Sequence, residues 1–313
     1  MREVVITSGR NMAHIDPHLT IWGWEIPVYL YLGGLVAGIL FFSALYFLQG
    51  RTKELPSVVR VAPLLAPVLL GIGLFVLFLD LEYKFHVFRF YTAFRLESPM
   101  SWGSWTLAVI FPLSTVWALL RAREQWPQYR IPSAFANKVL DWLGRFDKAM
   151  AWGLLVMAAL LGMYTGILLS AFNARPLWNT AILGPLFLVS GLSTGAAFNV
   201  LLSRNHGETR LLNRIDVLAI GVELFLIIHL LMGLLSSTQA HIDAAGLLLG
   251  GPFTAMFWIF VVGIGLVIPA ILEVCELTGR IRPTRIPAMM VLFGGLMLRI
   301  VMVEAGQISQ WVY

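Results

Sequence analysis

Eight apolar stretches of about 20 residues divide this chain, each long enough to cross a hydrocarbon layer some 30 Å thick as a helix. They run approximately Pro27–Leu48, Val61–Asp80, Trp102–Leu120, Ala149–Ala171, Ala181–Leu202, Leu212–Ser237, Pro252–Val274 and Pro287–Val303. Backbone groups in lipid must be hydrogen-bonded within the protein, so successive spans of this kind fold as a helical bundle. Composition agrees: of 313 residues, 58% are hydrophobic and 12% charged, against roughly 45–50% and 25% in soluble domains. The sequence predicts an all-α integral membrane protein with eight transmembrane helices.

Lysine and arginine gather in alternate loops. After the first, third, fifth and seventh spans come Arg51, Lys53 and Arg60; Arg121, Arg123, Arg130, Lys138, Arg145 and Lys148; Arg204, Arg210 and Arg214; and Arg280, Arg282 and Arg285. Cytoplasmic loops carry such an excess. Both termini are therefore expected outside, in a bacterial or archaeal cytoplasmic membrane. This bias also accounts for the net charge of +5, with no nucleic-acid partner implied. Met1 to Glu25 lacks the apolar core of a secretory signal. Ser133 to Lys148 alternates apolar and basic positions at helical spacing, as a helix in the headgroup layer does. Phe85 to Phe94, aromatic with basic residues between, reads as an anchor at the outer surface.

The chain repeats itself. Gly34-Leu-Val-Ala-Gly38 follows Pro27, and Gly191-Leu-Ser-Thr-Gly195 follows Pro185. A duplication would give two parallel four-helix halves, 1–171 and 172–313. Alternatively, each glycine pair is an independent device for close helix approach.

Cofactor chemistry is narrowly bounded. One cysteine, Cys275, cannot hold an iron–sulfur cluster, close a disulfide or attach a c-type haem; it reads as a small buried apolar residue. Haem b needs two axial ligands at similar depth, and His229 is the one histidine deep in a span. The expectation is no haem, no cluster and no metal site.

Ionisable groups at membrane depth are costly and mark candidate function. Near the outer face are Glu25, Tyr29, Asp80, Glu82 and Tyr164. A carboxylate and a phenol facing one cleft suit a quinone headgroup: the phenol donates to a carbonyl oxygen, and the carboxylate exchanges the proton that accompanies each electron. Interfacial solvation is the competing reading for Glu25 and Glu82, and an aromatic belt for Tyr29. Deeper lie Asp216, Glu223 and His229, a possible proton relay; the competing reading bonds Glu223 to Ser193 or Thr194. Arg299, near the outer end of the last span, is expected to snorkel.

Three segments, Trp22-Gly-Trp-Glu-Ile-Pro-Val-Tyr-Leu-Tyr-Leu-Gly-Gly-Leu-Val-Ala-Gly38, Ser98-Pro-Met-Ser-Trp-Gly-Ser-Trp105, and Tyr164-Thr-Gly166 with Arg175-Pro-Leu-Trp178, resemble the NrfD family. That family includes the membrane subunit of polysulfide reductase and quinone-interacting subunits of alternative complex III. The resemblance implies two four-helix bundles and a menaquinone or ubiquinone site in the first, near the outer face. It also implies a four-cluster ferredoxin-like iron–sulfur partner on that face, joined to a catalytic or cytochrome subunit. It puts the quinone-site acid on Asp80 and the tyrosine on Tyr164. Ile26 and Tyr29 stand where polysulfide reductase has Asn and His, so a second quinone partner falls to Glu25, Tyr29 or His18. The rival readings are a secondary transporter built from two repeats and a purely structural anchor.

Overall fold

A computed structural model describes residues 22–92, 94–95, 97–128 and 133–311. Among these residues the structure is all-helical, with eight helices long and apolar enough to span a membrane. They are α1 (Glu25–Leu48), α2 (Ser57–Asp80), α3 (Pro99–Gln125), α4 (Asp147–Ser170), α5 (Leu183–Leu202), α6 (His206–Leu235), α7 (Met256–Leu277) and α8 (Ile286–Ile308). Observed ends fall within a few residues of those expected. The exception is α6, which begins at His206, six residues before Leu212. Its polar first turn is started by Asn205, whose side chain accepts from the Gly207 N–H at 3.1 Å; Asn is a favoured N-cap.

The Ser133–Lys148 stretch is helical over Ala134–Leu143, with the Ser133 hydroxyl accepting from the Ala136 N–H at 3.3 Å. An amphipathic helix over Gln239–Leu249, between α6 and α7, has no counterpart among the expected elements. The opening of α7, Met256–Val267, is wound as a π-helix, a form that is rare at this length.

Helix α1 lies at the centre, packed against α2, α4, α5 and α8, while α5 also contacts α4, α6 and α8. The two glycine motifs meet here. A Cβ on Gly38 would collide with the backbone of Gly191 and Gly195, and one on Gly191 with that of Gly34. The repeated motifs are thus halves of a single contact between α1 and α5. Dispersion between closely approaching backbones and small residues is what holds membrane helices together.

The first and last described segments meet at one end of the bundle, where Gln307 accepts from the Trp22 N–H (2.9 Å) and donates to its carbonyl (3.0 Å). The basic loops lie at the other end. There Arg121 is fully buried rather than in a loop, over the rings of Phe47 and Trp117 (4.5 and 4.4 Å), and paired with Asp147 at 2.6 Å.

Candidate functional site

A cavity of about 380 Å³ opens beside the end where the described termini meet, walled by α1, α2, α3, α4 and the Phe85–Phe94 stretch. Its lining is largely apolar and includes Ile26, Leu74, Phe78, Val87, Leu107 and Leu168. Its polar lining groups include Asp80, Tyr29, Tyr91, Ser104 and Tyr164. Tyr29 and Tyr164 are buried in the bundle, and Asp80 is half-buried. Phe75, also in the lining, is 60% exposed on the outside of α2, so a lipid-facing side chain bounds the cavity.

Local sequence explains these positions. Asp80 is the last residue of α2 and Tyr164 stands six residues before the end of α4, so a turn or two of helix separates each from the polar boundary. Gly103 of α3 makes room for the phenol: a Cβ there would overlap the ring and hydroxyl of Tyr164. The Phe85–Phe94 stretch is pinned to α3 by Ser104, whose hydroxyl donates to the Phe90 carbonyl at 2.8 Å. That stretch supplies Val87, Phe90 and Tyr91 to the cavity. It is a wall of the site and not only the surface anchor its composition suggested.

Among the described residues, the carboxylate of Asp80 and the hydroxyls of Tyr29 and Tyr164 have no hydrogen-bond partner within the chain. Three free polar heads in the lining of an apolar chamber give a ligand with two oxygens and a hydrocarbon body places for both, as small-molecule sites do. Glu25 is not in the lining; its carboxylate folds back over Gly23, close enough to Asp80 to act on it electrostatically. Glu82 lines an adjoining surface cavity of about 460 Å³ with Tyr83, His86 and Arg89. His18 lies outside the described residues. Trp22 also lines the chamber, stacked on Trp178 at 5.3 Å.

The deeper group is arranged differently from expectation. Asp216 and Glu223 are buried on the inner face of α6, but His229 is exposed on its outer face, stacked on Phe225 at 5.9 Å. Six residues of helix turn a side chain about 240° round the axis, so His229 points away from Glu223. Ser193 bonds Asp216, donating to Oδ1 at 2.5 Å, while Glu223 faces Ser190. Arg299 does not snorkel. It is fully buried, donating to Ser190 Oγ (2.5 Å), the Gly295 carbonyl (3.0 Å) and the Phe187 carbonyl (3.2 Å), with its guanidinium 4.9 Å from the Phe187 ring. Two acids that reading by depth passed over, Glu273 and Glu276 of α7, are also buried. Glu273 touches Asp216; Glu276 accepts from Asn213 Nδ2 at 2.9 Å and from the Thr284 N–H at 2.8 Å. They lie in the last turn and a half of α7, where proximity to the loop disguises burial. Cys275 between them is half-buried.

Eight apolar helices, the first four of them walling an apolar chamber, define a multi-pass membrane protein. The family model described as "Polysulphide reductase, NrfD" matches residues 13–310, and the chain belongs to that family. It is 31% identical to Protein NrfD of Escherichia coli (strain K12), over 92% of this chain and 96% of that protein. It is 30% identical to the C component of polysulfide reductase from Wolinella succinogenes, over 92% of this chain and 94% of that protein. Similarity extends to the C component of selenate reductase from Mesobacillus selenatarsenatis, at 24% identity over 85% of this chain and 69% of that protein. The bacterial sources of these relatives fit residence in the cytoplasmic membrane.

Proposed function

We propose that this chain is the quinone-reactive membrane subunit of a respiratory oxidoreductase complex. The observation that carries the reading is the set of unbonded polar heads, Asp80, Tyr29 and Tyr164, in the lining of an apolar chamber with a lipid-facing wall. Two of the named relatives are components of polysulfide reductase and selenate reductase, which supports a role within a reductase complex.

In this reading the chain forms two four-helix halves, 1–171 with the chamber and 172–313, and the end where the described termini meet faces outwards. A menaquinone or ubiquinone head enters between the helices with its tail along the lipid-facing wall. Tyr164 and Tyr29 donate to its oxygens, and Asp80 accepts or returns a proton. Oxidation of one quinol releases two protons and two electrons; the electrons pass to an iron–sulfur partner of the four-cluster ferredoxin type docked on the outer face, and onward to a catalytic or cytochrome subunit. The reverse reaction uses the same groups.

The test is quinol-dependent electron transfer in the assembled complex carrying Asp80→Asn or Tyr164→Phe. Loss of a positioned proton-transfer group costs on the order of 10²-fold or more, and that fall is expected in the Asp80→Asn complex, with a smaller one for Tyr164→Phe. Turnover within twofold of wild type in both sinks the assignment.

A further inference from the structure

Away from the chamber, the basic end of the bundle carries a surface cavity of about 300 Å³ between the start of α6 and the end of α7. His206, Arg210 and Asn213 line it from α6, and Glu276, Leu277 and Thr278 from the end of α7. One helix begins here and the other ends here, so the partial positive charge of one terminus lies beside the partial negative charge of the other. The side chains are sorted in the same way. His206 and Arg210 are exposed at the mouth. Among the described residues Arg210 makes one hydrogen bond, at 3.5 Å to the Leu277 carbonyl, and no ion pair. Asn213 and Glu276 are buried at the floor. Asn213 Nδ2 donates to Glu276 at 2.9 Å, while its carbonyl oxygen Oδ1 is buried with no donor.

Buried polar atoms are almost always satisfied, so the Asn213 oxygen calls for a donor. Glu276 calls for a cation: its partners are the Asn213 amide and the Thr284 N–H and hydroxyl, all neutral, and among the described residues it has no ion pair. A primary ammonium, with three donors and no acceptor, meets both needs. At the mouth, a free guanidinium suits a phosphate. Arg210 and Asn213 stand three residues or about 4.5 Å apart along the helix axis, a span that a two-carbon linker between phosphate and amine covers. The cavity also sits at the right depth for a lipid. Arg210 and Arg214 mark the polar boundary, and Leu218, one turn on, is exposed on the apolar flank of α6. Half-buried Val217 and Leu224 continue the Arg210 stripe at seven-residue spacing, and Gly221 between them has open space at its Cβ position. They form a shallow apolar track leading from the cavity into the bilayer.

We propose that this cavity binds the headgroup of one phosphatidylethanolamine-type phospholipid from the leaflet on the basic side. Arg210 and His206 hold the phosphate, Asn213 Oδ1 and Glu276 accept from the ammonium, and an acyl chain lies along Val217 and Leu224. Basic pockets between transmembrane helices on the cytoplasmic side are places where lipid headgroups bind. The bound lipid ties the start of α6 to the end of α7. The lipid site is a separate claim from the quinone site, and either can fail alone.

The experiment uses the detergent-purified, delipidated complex, titrated with short-chain phospholipids while bound lipid is counted by native mass spectrometry and the thermal unfolding midpoint is followed. Phosphatidylethanolamine is expected to raise the midpoint and to bind at least tenfold more tightly than two competitors. These are phosphatidylcholine, whose quaternary nitrogen has no N–H, and phosphatidylglycerol, whose head has no amine. Arg210→Gln is expected to weaken that binding at least fivefold. His206→Ala, with a smaller loss, reports on the same cavity should Arg210→Gln not assemble. Arg282→Gln removes an exposed charge at the same end of the bundle but outside the cavity, and is expected to stay within twofold of wild type. Equal binding of the three lipids overturns the proposal, as does a loss in Arg282→Gln as large as in Arg210→Gln. Free phosphoethanolamine binding as tightly as the lipid also overturns it, since the ligand would then be a soluble metabolite.

Discussion

The phenol of Tyr164 occupies the space that a side chain at Gly103 would fill. The absence of one methyl group on α3 thus sets how far the α4 hydroxyl reaches into the chamber. Replacing Gly103 by alanine drives the ring away from the α3 backbone without removing any polar group. A displacement near 1 Å can cost on the order of 10²-fold in rate, so Gly103→Ala is expected to lower quinol-dependent turnover about tenfold or more. Assembly, checked by co-purification of the partner subunits, is expected to persist.

Arg299 is the buried cation that balances Glu223 across Ser190. Breaking a buried charge pair by removing one partner costs about 3–5 kcal/mol, because the other charge is left uncompensated. Arg299→Met should therefore lower the thermal unfolding midpoint and the yield of folded protein. The double variant Arg299→Met/Glu223→Gln should recover much of the loss. Equal destabilisation of the single and double variants would show that the guanidinium's bonds to Ser190 and the Phe187 carbonyl matter more than its charge.

Four glycines meet between α1 and α5, and a side chain on Gly195 would run into the backbone of Gly38 and Ile39. Gly195→Val is expected to abolish recovery of folded protein from detergent-solubilised membranes. Gly221 on the outer face of α6 has open space round its Cβ position; Gly221→Ala should stay within about 0.5 kcal/mol of wild type, as unconstrained surface changes do.

Topology is testable with single cysteines in a Cys275→Ser background. Phe85, 95% exposed at the chamber end, and Lys138, exposed at the basic end, sit on opposite sides. A membrane-impermeant maleimide should label Phe85→Cys in intact cells and Lys138→Cys only in inverted vesicles. The reverse pattern would invert the orientation.

Sequence reading located the eight helices because a 20-residue apolar run is a signal of composition and length, independent of what packs on what. Facing direction was less legible. Glu223 and His229 lie on one helix at neighbouring depths, yet opposite sides of it separate them. Arg299 looked like a residue reaching for the interface, since its burial depends on Ser190 and Phe187 of a helix a hundred residues earlier. Glu273 and Glu276 were hidden by their nearness to a polar loop. Tyr91 belonged to a stretch whose aromatic composition suggested a surface anchor; its place in the chamber follows from the Ser104 bond to Phe90, a contact that local pattern does not encode.

The glycine seam has a mechanical consequence. Carriers that alternate between inward and outward states rock one half of the chain against the other, which requires a joint that can slip. Where α1 and α5 touch backbone to backbone, sliding by a fraction of a turn would drive a bulkier neighbour such as Leu35 or Leu192 into main-chain atoms. The joint behaves as a weld, suited to a rigid frame past which small mobile species travel while the protein stands still.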